Sequence, residues 1–357
     1  MMLNKKNLIV LNFNGNIITG GQVYDSMLYS TIISNSPHKI KFCEPKIYPS
    51  GINFKKILCP FIELNLLSKI IGSNICFFSS SSAYRHILLL IMVKIFLPKV
   101  STMTIHHHYE YEKFKGGKKI LFKFFELSFL KLIDSIIIPS PYVKARTEKL
   151  LPNKKIDYIE IAFKENKFIP ELKDNHISEL LYVGTIEPRK GIDLLLDSLF
   201  LLKKVNQNFK VNIVGDFINE AYHKKLLNKV LTYRLENIVV FHGRVSSNKL
   251  HNFFMNAELF VFPSLLEGYG MVIMEAMSYG IPVIAYNNSS IPYTIIDGFN
   301  GLLASNKNVE HFKELINKVL ISKNLMKDLS YGAKNTFDKS RRELEFINDV
   351  KEFISTF

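Results

Sequence analysis

Glu267 and Glu275 stand eight residues apart around a glycine-bearing turn, Gly268-Tyr269-Gly270. Eight residues are a little over two helical turns. The two carboxylates can therefore lean toward one side, one from a loop and the other from a helix. The turn ends where small and apolar residues recur at helical spacing (Val272, Met274, Ala276, Met277), and Gly280 and Pro282 stop that pattern. Backbone N–H groups from Gly268 to Met271 would then face outward at a helix start, where an anion is favoured. Earlier in the chain, Arg189 and Lys190 open a second helical pattern after Gly184-Thr185-Ile186-Glu187-Pro188. Two cations at a helix start suit a diphosphate, although the GxxxxGK[ST] phosphate loop is absent. Taken singly, each feature also has a plain reading. Glutamates around a helix are usually solvated, glycine serves turns, and a basic first turn can be surface.

The elements that would position these residues alternate between strand and helix. Leu259–Phe262 is an apolar run broken by Pro263 and Ser264, and Val283–Ala285 begins another strand after Pro282. Glu179–Val183 precedes the Gly184–Gly191 segment, and Leu194, Leu195, Leu199 and Leu202 share one helix face behind it. Lys210–Val214 ends at Gly215-Asp216, and Ile238–Phe241 at His242-Gly243-Arg244-Val245. The first half repeats the rhythm in Asn7–Phe13, Lys39–Cys43, Asn74–Phe78, Val100–Ile105, Ser135–Pro139 and Ile156–Ile161, with helical patterns between them. This predicts an α/β protein of two doubly wound parallel sheets with right-handed crossovers. Ligands bind at strand carboxyl ends in such sheets. Gly20 and Gly21 follow the first strand, but their spacing is not GxGxxG and supports no dinucleotide site. His106, His107 and His108 follow another strand; three adjacent side chains cannot all face one ion, so no metal site is expected. The polar stretch 162–178 reads as a linker, giving domains at 1–163 and 164–339. A closing helix at 340–357 carries Leu344, Ile347, Val350 and Phe353.

The chain has 357 residues, enough for two domains, and a formal charge of +14. That charge favours polyanions or an anionic membrane surface; without an arginine-rich block or RNA-binding signature, nucleic acid is not the expected partner. Lys113–Asp134 combines six lysines with Ile120, Phe124, Leu127, Phe129, Leu130 and Leu132. Such a basic amphipathic helix can rest on anionic lipid or pack its apolar face on a sheet. The three cysteines, Cys43, Cys59 and Cys76, have no metal-type spacing and fit a reduced compartment. No signal-peptide pattern follows Met1. The expectation is a cytoplasmic protein able to sit on an inner membrane face.

The stretch Glu258–Leu303 resembles the signature of the retaining nucleotide-sugar glycosyltransferases of family 4, which have the GT-B fold. The matching positions are Glu267, Gly268, Tyr269, Gly270, Glu275, Ala276, Met277, Gly280, Pro282, Val283, Asp297, Gly298, Gly301, Leu302 and Leu303. Gly184–Lys190 is similar to the same family's phosphate-binding segment. Many relatives carry arginine directly after the first glycine, where this chain has Thr185, so the weight falls on Arg189 and Lys190. Tyr293 stands where many relatives carry glutamate. The resemblance covers nearly the whole second half and is thematic in the first. It implies two Rossmann-like domains and a nucleoside diphosphate sugar as donor, with a glycan or lipid-linked acceptor and neither cofactor nor metal. It further implies that Glu275 holds the ribose hydroxyls, while Glu267 and the amides of Gly268, Tyr269, Gly270 and Met271 hold the sugar and distal phosphate. Gly215 and Val245 would lie at the base, Gly20 and Gly21 at the cleft. A histidine after the strand would reach the sugar, His106 as first choice and His108 second. A silent nucleotide-sugar-binding subunit, or an epimerase, is the alternative.

Overall fold

A computed structural model describes residues 6–11, 20–43, 60–78, 86–166 and 177–356. The chain divides into two compact units: residues 1–163 with 341–357, and residues 164–340. The last two residues of the expected strand Asn7–Phe13, Cys59 and most of the expected linker lie outside the described residues.

The first unit runs β1 (Asn7–Leu11), α1 (Gly20–Asn35), β2 (Lys39–Cys43), α2 (Pro60–Ile70), β3 (Ile75–Phe78), α3 (Ile87–Phe96), β4 (Ser101–Ile105), α4 (Gly116–Leu132), β5 (Ser135–Ile138), α5 (Pro141–Leu150) and β6 (Lys155–Tyr158). The strands are parallel, in the order β2-β1-β3-β4-β5-β6. Its inner strands are buried on both faces, as in a sheet covered by helices on each side. Ile9, Leu11, Phe78, Ile136 and Ile138 point to one side, where they meet Leu89, Leu90 and Val93 of α3 and Phe122, Phe129 and Leu130 of α4. Phe77 points to the other, edge-on to Tyr29 of α1 at 5.8 Å.

The second unit runs β7 (Ser178–Val183), α6 (Ile192–Leu202), β8 (Phe209–Val214), α7 (Glu220–Thr232), β9 (Val239–Gly243), α8 (Ser247–Asn256), β10 (Leu259–Phe262), α9 (Met271–Ser278), β11 (Val283–Tyr286), α10 (Ile291–Thr294), β12 (Gly301–Ala304), α11 (Val309–Leu320) and α12 (Lys323–Asp338). The parallel order is β12-β11-β10-β7-β8-β9. Asn219, Ser246, Asn308 and Ser322 cap their helices by accepting an N–H three residues on. Strand order reverses between β7 and β10, which opens a crevice at their carboxyl ends.

The last helix, α13 (Glu343–Ser355), belongs to the first unit and packs on α1. Its buried face is Phe346, Val350, Phe353 and Ile354, whereas Leu344 is 75% exposed. The expected stripe advanced by three residues at each step. That spacing drifts about 60° per step round a helix of 3.6 residues per turn, so it starts off the true face. The expected helix at Lys113–Asp134 is also shorter. Glu110–Lys113 forms a separate 3-10 turn, and α4 starts at Gly116 with φ of 56°.

Candidate functional site

At the switch between β7 and β10, the two following loops are joined by hydrogen bonds. The Leu265 N–H donates to the Arg189 carbonyl at 2.8 Å. Gly191 makes this approach possible: its φ is 68°, and a Cβ there would stand 2.1 Å from the Pro263 carbonyl oxygen. Gly191 turns the 3-10 segment Pro188–Lys190 into α6 and leaves Lys190 buried beneath the loop that carries Glu267.

Glu267 is buried and its Oε1 gathers donors from both loops. Lys190 Nζ lies at 2.5 Å and Ser264 Oγ donates at 2.6 Å, while Arg189 Nη1 stands at 3.7 Å. Burial alone would push the carboxyl up; Lys190 and Arg189, with the Lys190 and Ser264 hydrogen bonds, outweigh it and hold it below the ordinary carboxylate range. Burial likewise lowers the Lys190 ammonium, with Glu267 pulling in the opposite sense. Arg189 also reaches Glu187 Oε1 at 2.7 Å and the Leu266 carbonyl at 3.0 Å. Its Nε is buried without a partner among the described residues. Arg189 and Lys190 are thus held by carboxylates and carbonyls, not spread into solvent.

Gly268 and Tyr269 are half-buried in the turn, and Gly270, at φ 84°, caps α9 so that Met271 is its first residue. Glu275 lies a turn further on. Its half-buried carboxylate has no hydrogen bond or ion pair among the described residues, and burial pushes its pKa up. An acceptor raised by desolvation and left without donors is suited to a ligand that brings hydroxyls. Gly215 ends β8; a Cβ there would lie 1.9 Å from the Gly184 carbonyl oxygen, so the β7 and β8 ends close together. Val245 is half-buried in the loop before α8.

In the first unit, Gly20 and Gly21 open α1. The His107 imidazole lies against Gly21, where a Cβ would meet it at 3.3 Å, and its Nε2 is 2.8 Å from Asp25 Oδ1. His106 is buried edge-on to Tyr109, and its Nε2 has no hydrogen-bond partner among the described residues; burial, aided by the neighbouring histidines, pushes it down to about 3. Its imidazole is therefore neutral and enclosed, while the side chain that reaches the strand-end glycines is His107. His108 pairs with Glu110 at 2.9 Å, and Glu110 also binds Lys113. No group of metal-ligating side chains occurs among the described residues.

The family model described as glycosyl transferases group 1 matches residues 163–336. Over that stretch the chain is similar to the glycosyl transferases group 1 family. An uncharacterized glycosyltransferase of Methanocaldococcus jannaschii is 33% identical over 201 residues, 56% of this chain and 54% of that protein. The lipopolysaccharide 1,2-N-acetylglucosaminetransferase of Salmonella typhimurium is 32% identical over 205 residues, 53% of each. The chain thus matches about half the length of these relatives. Sucrose-phosphate synthase from Thermosynechococcus elongatus superposes with a TM-score of 0.80 at 15% identity, covering 98% of both chains. Anabaena HepE, solved with UDP and glucose, superposes with a TM-score of 0.76 at 15% identity, covering 99% of this chain and 100% of that one. The fold is GT-B, two Rossmann-like units with parallel sheets.

Within the group 1 half, three polar residues escaped the sequence reading. Ser264, three residues before Glu267, hydrogen-bonds its carboxylate. Ser289 Oγ accepts the Glu267 N–H at 2.9 Å and donates to Asn288 Oδ1, while Asn288 Nδ2 donates to the Ser264 carbonyl at 2.9 Å. Ser264 could have been found from its spacing to Glu267; the Asn288-Ser289 clamp, 22 residues downstream of Glu267, has no local signal. In the first unit, the contact of His107 with Asp25 likewise has no local signal.

Proposed function

We propose that this chain is a retaining glycosyltransferase. It would move a hexose or N-acetylhexosamine from a nucleoside diphosphate sugar to a glycan or lipid-linked acceptor, in the assembly of a bacterial surface polysaccharide. The observation that carries this reading is the buried Lys190–Glu267–Ser264 cluster at the β7–β10 switch, with the Glu275 carboxylate of α9 left without a partner among the described residues. Support for the pathway comes from relatives with such names, including a capsular polysaccharide glycosyltransferase of Staphylococcus aureus and an O-antigen mannosyltransferase of Escherichia coli.

In this reading the ribose hydroxyls donate to Glu275 and relieve its desolvated charge. The amides of Gly268 to Met271, with Arg189 and Lys190, receive the diphosphate. Glu267 turns both cations toward the phosphate and holds sugar hydroxyls. The bond from the anomeric carbon to the phosphate oxygen breaks as the acceptor oxygen attacks the same face. The acceptor proton passes to the departing phosphate oxygen, whose charge the two cations neutralise. No protein nucleophile forms a covalent sugar adduct in this scheme.

Thermal stabilisation by UDP, GDP, ADP and CMP, with and without EDTA, tests it. One diphosphate should raise Tm with EDTA present, and the matching sugar nucleotides should then be turned over with the anomeric configuration kept. Stabilisation without turnover of any matching donor would favour a silent binding subunit. A trapped glycosyl-enzyme would overturn the same-face step.

A further inference from the structure

We propose that the outer surface of α3 and α4 docks on an anionic lipid bilayer. This names the surface of the first unit that meets membrane and stands independently of the transfer chemistry above.

Helix α4 divides its apolar residues between two sides. Phe122, Phe129 and Leu130 enter the core, yet Ile120 and Phe124 are 73% and 65% exposed. Four residues apart, they form one stripe along the helix, with Leu121 also exposed beside it. Lys118, Lys119 and Lys123 are exposed along the same two turns. The single carboxylate of α4, Glu126, points inward, where its two oxygens accept the N–H groups of Glu110 and Tyr111 at 3.0 Å. Helix α3 packs against α4 and has the same character. Leu89, Leu90 and Val93 are buried, whereas Ile95 and Phe96 are 66% and 65% exposed and Ile91 lies on the Ile95 side. It has no carboxylate; Lys94 pairs with Asp134, and Lys99 follows exposed. The two neighbouring helices thus present large apolar side chains among lysines, with no exposed acid on either.

That chemistry selects an anionic interface. An apolar stripe ringed by lysine is the pattern of a helix lying in the headgroup region, and each lysine near an anionic leaflet adds attraction. No helix among the described residues is long and apolar enough to cross a membrane, so the contact is lateral. A second copy is a poor occupant, because a two-fold interface would set these lysines against themselves.

Flotation of the full chain with vesicles of phosphatidylcholine, alone or mixed with phosphatidylglycerol, tests this. The protein should float with the mixed vesicles only and retain a salt-resistant fraction. K118E/K119E/K123E should lower partitioning by on the order of a hundredfold, since each lysine near the surface contributes about fivefold. I120S/F124S should still bind at low salt and be released completely by high salt. Each variant should keep the wild-type Tm and its nucleotide-induced shift, which separates this test from that of the transfer reaction. The proposal is overturned by equal binding to both vesicle types, by a charge-reversed variant that floats like wild type, or by capture of a soluble acidic protein without flotation.

Discussion

At the scale of residues, the candidate site contrasts two glutamates. Glu267 is buried with donors, whereas Glu275 is half-buried without them. Glu275→Gln keeps one acceptor oxygen but loses charge-assisted bonds worth about 1.5–3 kcal/mol. Calorimetry should show the stabilising diphosphate binding about tenfold more weakly or worse; unchanged affinity would reassign Glu275. The raised pKa also means that wild-type stability falls as pH rises above the ordinary carboxylate value, because the unfolded chain gives up its proton first. The glutamine variant lacks that slope, so its unliganded Tm at pH 8 should match or exceed wild type. Lys190→Ala acts differently. It leaves Glu267 charged and buried without its main partner, a loss of about 3–5 kcal/mol, and Lys190→Ala/Glu267→Gln should recover part of it in denaturant titrations. His106 gives a third expectation. Its folded pKa, pushed down to about 3, lies below the unfolded value of 6.5, so stability falls as pH drops from 6.5 toward 3. His106→Phe should flatten that fall in melts across the range. Turnover should drop further in His107→Ala than in His106→Phe, because His107 is the ring that reaches the α1 glycines.

At the scale of elements, the turn carrying Glu267 is fixed from a distant loop. Ser289 and Asn288 grip its backbone on the way from β11 to α10. Ser289→Ala removes the acceptor for the Glu267 N–H. It should lower kcat severalfold with a stability loss of about 1–3 kcal/mol, and Ser289→Asn, which keeps an acceptor and tolerates the left-handed backbone at φ 44°, should restore part of the rate. A rate equal to wild type would show that the turn holds itself. The strands and most helices could be read from the sequence, because apolar runs such as Leu259–Phe262 and breaks such as Pro263 are local signals. So were the switch-point glycines and the Arg189-Lys190 pair. The partners of these residues were not legible. Lys190 finds Glu267 across 77 positions, and His107 finds Asp25 across 82, pairings set by which strand ends the topology brings together. Nor does a local signal tell which of three adjacent rings the β4 exit buries, His106, and which it lays against Gly21, His107. Half of the expected α13 face, Val350 and Phe353, is buried, whereas Leu344 is not, because a strict spacing of three drifts off one side of a helix.

At the scale of the whole molecule, the helical cover of the first unit is completed by α13, from the later part of the chain. Phe346, Val350, Phe353 and Ile354 are buried, with Phe346 edge-on to Tyr24 at 5.9 Å, and the Phe163 N–H donates to the Arg341 carbonyl at 3.0 Å. Burial of four such side chains contributes roughly 6–12 kcal/mol as an upper bound. A chain ending at Ser340 should therefore lose the calorimetric transition of the first unit, or shift it far down, while that of residues 164–340 stays in place. A single unchanged transition would contradict the division into units. The order of synthesis follows from the same connection. When the ribosome has made residues 1–163, the α1 surface around Tyr24 has no cover, and 177 further residues must be translated before the returning segment begins at Arg341. At typical elongation rates that is roughly ten to thirty seconds. During this time the half translated first is the less finished one, with a sticky face open to chaperones and to other nascent chains, while the half translated later can already fold.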